Sequence, residues 1–90
     1  MIELAFRILN ELVSVDYLGR PINNKQRRSC MDVRQKIDAN PRDFYEVVKQ
    51  LHLNYLIDVE NYGEENGTLT IRDEGIHKVA AEIIKKYPIE

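Results

Sequence analysis

Seven basic residues lie between positions 20 and 42 of this 90-residue chain, where they could bind phosphate groups. They are Arg20, Lys25, Arg27, Arg28, Arg34, Lys36 and Arg42. Only Asp32 and Asp38 oppose them, so residues 20–42 have a net charge of +5 within a chain of net charge −2. Clustered lysines and arginines neutralise phosphates. We interpret this segment either as a phosphate-binding patch or as the charged, solvated face of a helix.

The segment that follows has the opposite charge. Residues 43–75 carry eight acids against two bases, a net charge of −6. Much of this charge lies in "DVENYGEENGTLTIRDEG", residues 58–75, which has the pattern of a hairpin with Glu64 and Glu65 at its tip. Two carboxylates at the tip would be repelled by phosphates. We therefore predict that this hairpin does not grip nucleic acid. It either stays in solvent or contacts a basic protein surface through Tyr62, Glu64 and Glu65.

The sequence contains no motif typical of a metal site or of a catalytic site. His52 and His77 are not at the spacing of a zinc site, and the chain has no glycine-rich phosphate loop and no nucleophile elbow. We expect no enzymatic activity, no metal and no cofactor. The lone cysteine, Cys30, has no partner for an internal disulfide, so we expect an inert thiol in a reducing cytosol.

Length and composition indicate one soluble domain spanning residues 1–90. The chain is 43% hydrophobic and 31% charged, as is typical of globular proteins. Charged residues interrupt the N-terminal segment from Glu3 onward, so it lacks the apolar run of a signal peptide or membrane span. We expect a cytoplasmic protein.

Hydrophobic periodicity predicts three helices in the first half of the chain. Apolar residues at three- and four-residue steps place the first helix over residues 2–18, and the turn-forming "LGRPINNKQ" follows as a loop. A weaker pattern predicts a second helix from Lys25 to Asp38. Asn40 is the predicted N-cap of a third helix, which runs from Pro41 to about Leu53.

The second half predicts a hairpin and a last helix. Tyr55, Ile57 and Val59 alternate with polar neighbours as in a half-buried strand, and "GTLTI" is a second strand. "TIRD" resembles a capping box that starts the final helix, and Pro88 ends it. The fold class is therefore α+β, mostly helical.

This order of elements resembles the winged helix-turn-helix superfamily. "VVKQLHLNYLIDV" is similar to the end of that superfamily's recognition helix running into the first wing strand. "GTLTIRDEGIHKVAAEI" is similar to the second wing strand entering a final helix through a Thr-x-x-x-x-Gly junction at Thr70 and Gly75. The resemblance implies a three-helix core, a two-stranded wing over Tyr55–Ile71 and a C-terminal helix.

The resemblance also implies a function, namely a small DNA-binding protein that acts as a transcriptional regulator. The helix from Pro41 to His52 would enter the major groove of double-stranded DNA, with the preceding helix bracing it. Asp43 and Glu46 would point into the same groove, where acids can read cytosine but rarely favour binding overall. The implied nucleic-acid-binding residues are Arg20, Lys25, Arg27, Arg28, Arg34, Arg42, Tyr45, Lys49 and Gln50.

A second hypothesis follows from the acidic hairpin. Members of this superfamily also serve as protein-interaction modules, and such a module would use its acidic wing and third helix against a basic protein surface without binding nucleic acid. In either case the apolar stripes of the first and last helices predict a homodimer formed through these terminal helices.

Overall fold

The computed structural model describes residues 2–15, 21–22, 27–61 and 67–86. Its helices are α1 (Ile2–Leu12), α2 (Cys30–Lys36), α3 (Pro41–Leu53) and α4 (Asp73–Lys86). Its strands are β1 (Ser14–Val15), β2 (Pro21–Ile22), β3 (Arg28–Ser29), β4 (Ile57–Glu60) and β5 (Thr68–Ile71). The predicted class is confirmed: the protein is a mostly helical α+β protein with a winged-helix-like arrangement.

Two small antiparallel sheets accompany the helices. β1 pairs with β2, and a three-stranded sheet has the order β3-β5-β4. The predicted hairpin is confirmed by the antiparallel register of β4 and β5, which pairs Ile57 with Ile71 and Glu60 with Thr68. β5 alternates as a half-buried strand should, because Leu69 and Ile71 are buried while Thr68 and Thr70 are partly exposed.

One hydrophobic core joins the helices to the sheet. α1 packs on α3, α4 and β5, and α3 packs on β4. The fully buried side chains come from every one of these elements, so the sheet packs against the helices and forms one side of the core. They include Ile8, Leu9, Phe44, Val48, Ile57, Leu69, Ile71 and Val79.

The first helix is shorter than predicted. It ends at Leu12, and Ser14–Val15 instead forms β1 against Pro21–Ile22, which the sequence had assigned to a loop. Of the predicted apolar stripe, Leu9 and Leu12 are buried and Ala5, Phe6 and Val13 pack against the core, whereas Ile8, which is fully buried, was not part of the prediction.

The second helix was predicted to begin five residues too early. Arg28 and Ser29 form β3 and pair with Leu69 and Thr68 of β5, and the helix starts only at Cys30. The Ser29 hydroxyl accepts a hydrogen bond from the Asp32 amide, which marks Ser29 as the N-cap. The edge of β5 thus competes successfully with a weak helical pattern.

The ends of α2 and α3 share one geometry. After α2, Asp38 adopts a left-handed conformation with φ 53°, and the amides of Asp38 and Ala39 bond back to Gln35 and Arg34. After α3, Tyr55 has φ 60°, and the amides of Tyr55 and Leu56 bond back to His52 and Leu51. Both are Schellman motifs, in which the left-handed residue is usually glycine.

The Schellman motif after α3 corrects the predicted start of the wing. Tyr55 was assigned to the first strand, facing the same side as Ile57, but it is two-thirds exposed and lies in the turn. β4 begins at Ile57. The predicted capping box is also wrong, because Thr70 lies in β5 opposite Asp58 and α4 begins at Asp73.

Gly75 closes the junction between the wing and α4. It is buried, and a Cβ at this position would collide with the backbone oxygen of Leu56 and lie 2.8 Å from Cγ1 of Ile71. The same Leu56 oxygen accepts a hydrogen bond from the Arg72 amide at 3.0 Å. Residue 75 must therefore be glycine for α4 to start against the corner that follows α3.

Candidate nucleic-acid interface

The position of α3 is fixed by a capping residue at its N-terminal end and by the burial of one side in the core. The Asn40 side chain accepts hydrogen bonds from the amides of Arg42 and Asp43 at 2.9 and 3.3 Å, and Pro41 occupies the first turn. This confirms the predicted N-cap. One side of the helix is buried through Phe44, Val47, Val48 and Leu51. The opposite side is exposed, and we call it the outward face of α3: Arg42, Glu46, Lys49, Gln50 and Leu53.

The two bases on this face have no acid partner among the described residues. Arg42 and Lys49 are exposed, and neither side chain makes a hydrogen bond or an ion pair within the part of the chain that the structure describes. They lie seven residues apart, two helical turns along the same side. Gln50 is exposed beside Lys49. The predicted α3 contact residues Arg42, Lys49 and Gln50 are thus brought together on one surface.

The basic segment before α3 is arranged differently, because its bases meet acids. Arg28 donates to the Glu11 backbone oxygen at 3.0 Å and to its Oε1 at 3.3 Å. Lys36 Nζ lies 3.1 Å from the same Oε1. Glu11 and Arg28 are mostly buried, with side-chain exposures of 18% and 28%. This cluster ties β3 and α2 to the end of α1, so Arg28 is a structural residue here.

Arg27 is also paired, although at the surface. Its Nη2 lies 3.2 Å from Oε1 of Glu60, the last residue of β4, and both side chains are more than 60% exposed. An exposed pair of this kind contributes little to stability and separates readily. Arg27 therefore remains accessible to a phosphate, but only in competition with Glu60.

Two further predicted site residues are partly buried. Arg34 has a buried Nε with no hydrogen-bond partner among residues 2–15, 21–22, 27–61 and 67–86. The Tyr45 ring packs against the core and meets the Phe44 ring edge-on, with centroids 5.3 Å apart. Both side chains are therefore less accessible than those of the outward face. Their proposed contacts with DNA stay predictions.

Five predicted contact residues lie outside the described residues. These are Arg20 and Lys25 of the basic segment, and Tyr62, Glu64 and Glu65 of the hairpin tip. The acids of the hairpin that the structure describes lie on its first strand, β4. There Asp58 lies 3.3 Å from Arg72, and Glu60 meets Arg27. Arg72 also lies 3.7 Å from Glu74, so the acids at the base of the wing are largely offset by bases.

Two exposed apolar side chains were not foreseen. Leu53 is 62% exposed at the C-terminal end of the outward face, and Tyr55 is 67% exposed at the corner beyond it. The Arg72 guanidinium carbon lies 5.9 Å from the Tyr55 ring centroid, within cation–π range. The signal for Leu53 was its position four residues after Lys49, which places it opposite the core face.

Cys30 was expected to be inert, and its surroundings agree. The thiol lies at the start of α2 and is 1% exposed. Burial raises the pKa of the Cys30 thiol above its ordinary value, while a backbone hydrogen bond opposes the shift. A thiol that is both buried and protonated is a poor nucleophile.

The described residues contain neither a candidate metal site nor a candidate membrane span. No group of three or more metal-ligating side chains is found there. No helix in that part of the chain is both long enough and apolar enough to span a membrane.

Comparisons with known proteins give one informative match. No family model matches the chain, and no curated protein matches it significantly. Among solved structures, the chain is similar to TubR of a type III plasmid segregation system, with a TM-score of 0.62. The match covers 97% of this chain and 77% of TubR at 18% sequence identity. It therefore shows a shared fold and supports the winged-helix-like architecture.

Proposed function

We propose that this protein binds double-stranded DNA through the outward face of α3 and has no enzymatic activity. The observation that carries the proposal is the availability of Arg42 and Lys49. Both are exposed and without an acid partner in the described structure, whereas Arg27, Arg28 and Lys36 are engaged with Glu60 and Glu11. Unpaired bases release counterions on binding phosphate without first breaking an ion pair.

The dimensions and chemistry of α3 fit a major groove. Its 13 residues extend about 20 Å, and a major groove about 12 Å wide admits one helix. Arginine can pair with guanine, glutamine with adenine, and lysine with guanine or a phosphate. Arg42, Lys49 and Gln50 supply these three groups on one side of the helix. In this arrangement the β4–β5 hairpin flanks the duplex, and its strands carry no unpaired base for it.

The structural neighbour is compatible with this proposal. TubR belongs to a plasmid segregation system, and a plasmid is double-stranded DNA. We extend the proposal to transcriptional regulation and to a homodimer formed through α1 and α4, since two-fold proteins present paired helices to palindromic sites. Light scattering at micromolar concentration tests the dimer, and a monomeric mass would contradict it.

The binding experiment compares two lysines of equal charge. Fluorescence anisotropy with a labelled duplex is measured for the wild type, Lys49→Ala, and Lys78→Ala on α4, where Lys78 is exposed. We expect Lys49→Ala to weaken binding about fivefold or more, and Lys78→Ala to leave it nearly unchanged. Equal weakening by the two substitutions would show that only overall charge matters. No binding by the wild type at low salt would reject the proposal.

A second candidate function is a protein-interaction module. It is favoured by the exposure of Leu53 and Tyr55, and by the left-handed backbone of Tyr55, a position where glycine would be less strained. A partner contacting this corner would cover both side chains. The same anisotropy series separates the two functions, because the module predicts no salt-sensitive DNA binding by any variant.

A further inference from the structure

We infer that Glu46 is a specificity-determining residue of the DNA interface, whose carboxylate selects a base that presents an amino group in the major groove on the strand it faces, with cytosine as the first choice. This inference rests on the proposed function and deepens it. It assigns to an acid, and not to a base, the main discriminating contact of α3.

Glu46 occupies the middle of the outward face. It is exposed, four residues after Arg42 and three before Lys49. At 1.5 Å per residue, the two bases lie about 6 Å and about 4.5 Å from it along the helix axis. Any duplex that contacts Arg42 and Lys49 together must therefore also accommodate the Glu46 carboxylate.

The Glu46 carboxylate has no basic partner among the described residues. Glu46 makes no hydrogen bond and no ion pair with any residue of the described structure, even though Arg42 and Lys49 are its helical neighbours. Other acids of the domain differ in this respect. Glu11, Asp58 and Glu60 each meet an arginine or lysine within about 3.3 Å. Glu46 can thus contact a ligand without first leaving a base of the described structure.

A carboxylate in a major groove discriminates between bases more sharply than a neutral side chain does. It can only accept hydrogen bonds, and the groove offers donors only at the amino groups of cytosine and adenine. Guanine presents N7 and O6, and thymine presents O4, which are acceptors that repel it. Surrounding phosphates add a sequence-independent penalty. Glu46 therefore weakens binding to most sequences and tolerates those that place an amino group opposite it.

The test is selection from a duplex library with a random core of about two helical turns. Wild type, Glu46→Ala, Glu46→Gln and the control Glu82→Gln are compared, Glu82 being a residue of α4 and so outside the outward face of α3. We expect the wild-type pool to be enriched in cytosine at one position per site. That preference should disappear in Glu46→Ala, shift toward adenine in Glu46→Gln, and persist in Glu82→Gln.

Affinity for an unselected duplex provides the second readout. Removing the carboxylate should tighten binding of Glu46→Ala about fivefold or more relative to the wild type, while Glu82→Gln changes it much less. Thermal unfolding of each variant confirms that the fold is retained.

The outcomes separate the inference from the function beneath it. A wild-type pool without sequence preference, or a motif unchanged in both Glu46 variants, overturns the role of Glu46 and leaves DNA binding intact. Absence of binding by every variant overturns the proposed function and the inference together. Loss of the cytosine preference with tighter binding to unselected duplex supports the inference.

Discussion

The two basic regions of this domain differ in what their charges contact. The segment leading into α2 is rich in bases, but Arg28 and Lys36 converge on Glu11, and Arg27 meets Glu60. The outward face of α3 has only Arg42 and Lys49, and neither has an acid partner in the described structure. Among the described residues, Arg42 and Lys49 can therefore meet a ligand without first leaving an acid, whereas Arg27, Arg28 and Lys36 cannot.

This difference shows that charge counted along a sequence is not the charge presented at a surface. The net charge of +5 over residues 20–42 indicates a phosphate-binding patch. Three of its bases nevertheless form ion pairs within the domain, because Arg28 and Lys36 contact Glu11 and Arg27 contacts Glu60. Their partners in α1 and β4 lie outside the segment in sequence. A base that must leave an acid before it meets a phosphate gains less from the exchange.

The largest effect is expected from the corner that fixes where α3 ends relative to the wing. Gly75→Ala would drive a methyl group against the backbone of Leu56 and against Ile71. We predict a loss of about 3 kcal/mol in the free energy of unfolding, measured by urea denaturation. Lys78→Ala, at an exposed position of the same helix, should change it by less than about 0.5 kcal/mol. Equal stability of the two variants would mean that α4 does not pack on Leu56 as described.

The next effect separates the partly buried ion pair of Glu11 and Arg28 from the exposed pair of Glu60 and Arg27. Glu11→Ala leaves the mostly buried Arg28 without its carboxylate, so we predict a loss of about 2 kcal/mol in the free energy of unfolding. Glu60→Ala removes an exposed partner of Arg27 and should cost at most about 0.5 kcal/mol. Equal stability of the two variants would show that Arg28 depends on its carboxylate partner no more than Arg27 does. It would contradict the distinction between bases that are held by acids and bases that are available to a ligand.

A pH effect is predicted at the start of α2. Because burial raises the pKa of Cys30 in the folded protein, the thiol ionises first in the unfolded chain, at about pH 8.5. Stability from this group is therefore complete below that pH and falls as the pH rises toward the folded pKa. The stability difference between wild type and Cys30→Ala should shrink between about pH 8 and about pH 10. A difference constant over this range would contradict a buried, protonated thiol.

The smallest effect on stability is predicted for the outward face. Replacing Arg42 and Lys49 together by alanine removes no hydrogen bond or ion pair seen in the described structure. The free energy of unfolding should change by less than about 0.5 kcal/mol. A larger loss in urea denaturation would reveal a structural role and would remove the contrast with Arg28.

Local signals in the sequence predicted those parts of the fold that depend on neighbouring residues. Asn40 before Pro41 predicted the start of α3, and alternation with glycines predicted the β4–β5 hairpin. Two features could not be predicted in this way. β3 has two residues and exists only because β5, distant in the sequence, pairs with it. The start of β4 depends on a left-handed Tyr55, where a glycine would have been the recognisable signal.

The candidate site was predictable in its residue types and not in its pairing. Helical spacing places Arg42, Lys49 and Gln50 on one side of α3, and the structure agrees. Whether a base is free depends on acids distant in sequence. Arg28 meets Glu11 across 17 positions, and Arg27 meets Glu60 across 33. Tertiary packing determines which acid each base meets, so these pairs cannot be predicted from the periodicity of the sequence.

The most direct test is the salt dependence of duplex binding, measured by anisotropy between about 50 and about 200 mM salt for the wild type, the Arg42→Ala/Lys49→Ala variant and Arg27→Ala. Each phosphate contact contributes about 0.9 to the slope of log affinity against log salt. We predict that the double variant loses about 1 to 2 from this slope, with an affinity weaker by about tenfold or more, and that Arg27→Ala loses much less. An unchanged slope in the double variant, or an equal loss in Arg27→Ala, would contradict the claim that the unpaired bases of α3 form the DNA contact.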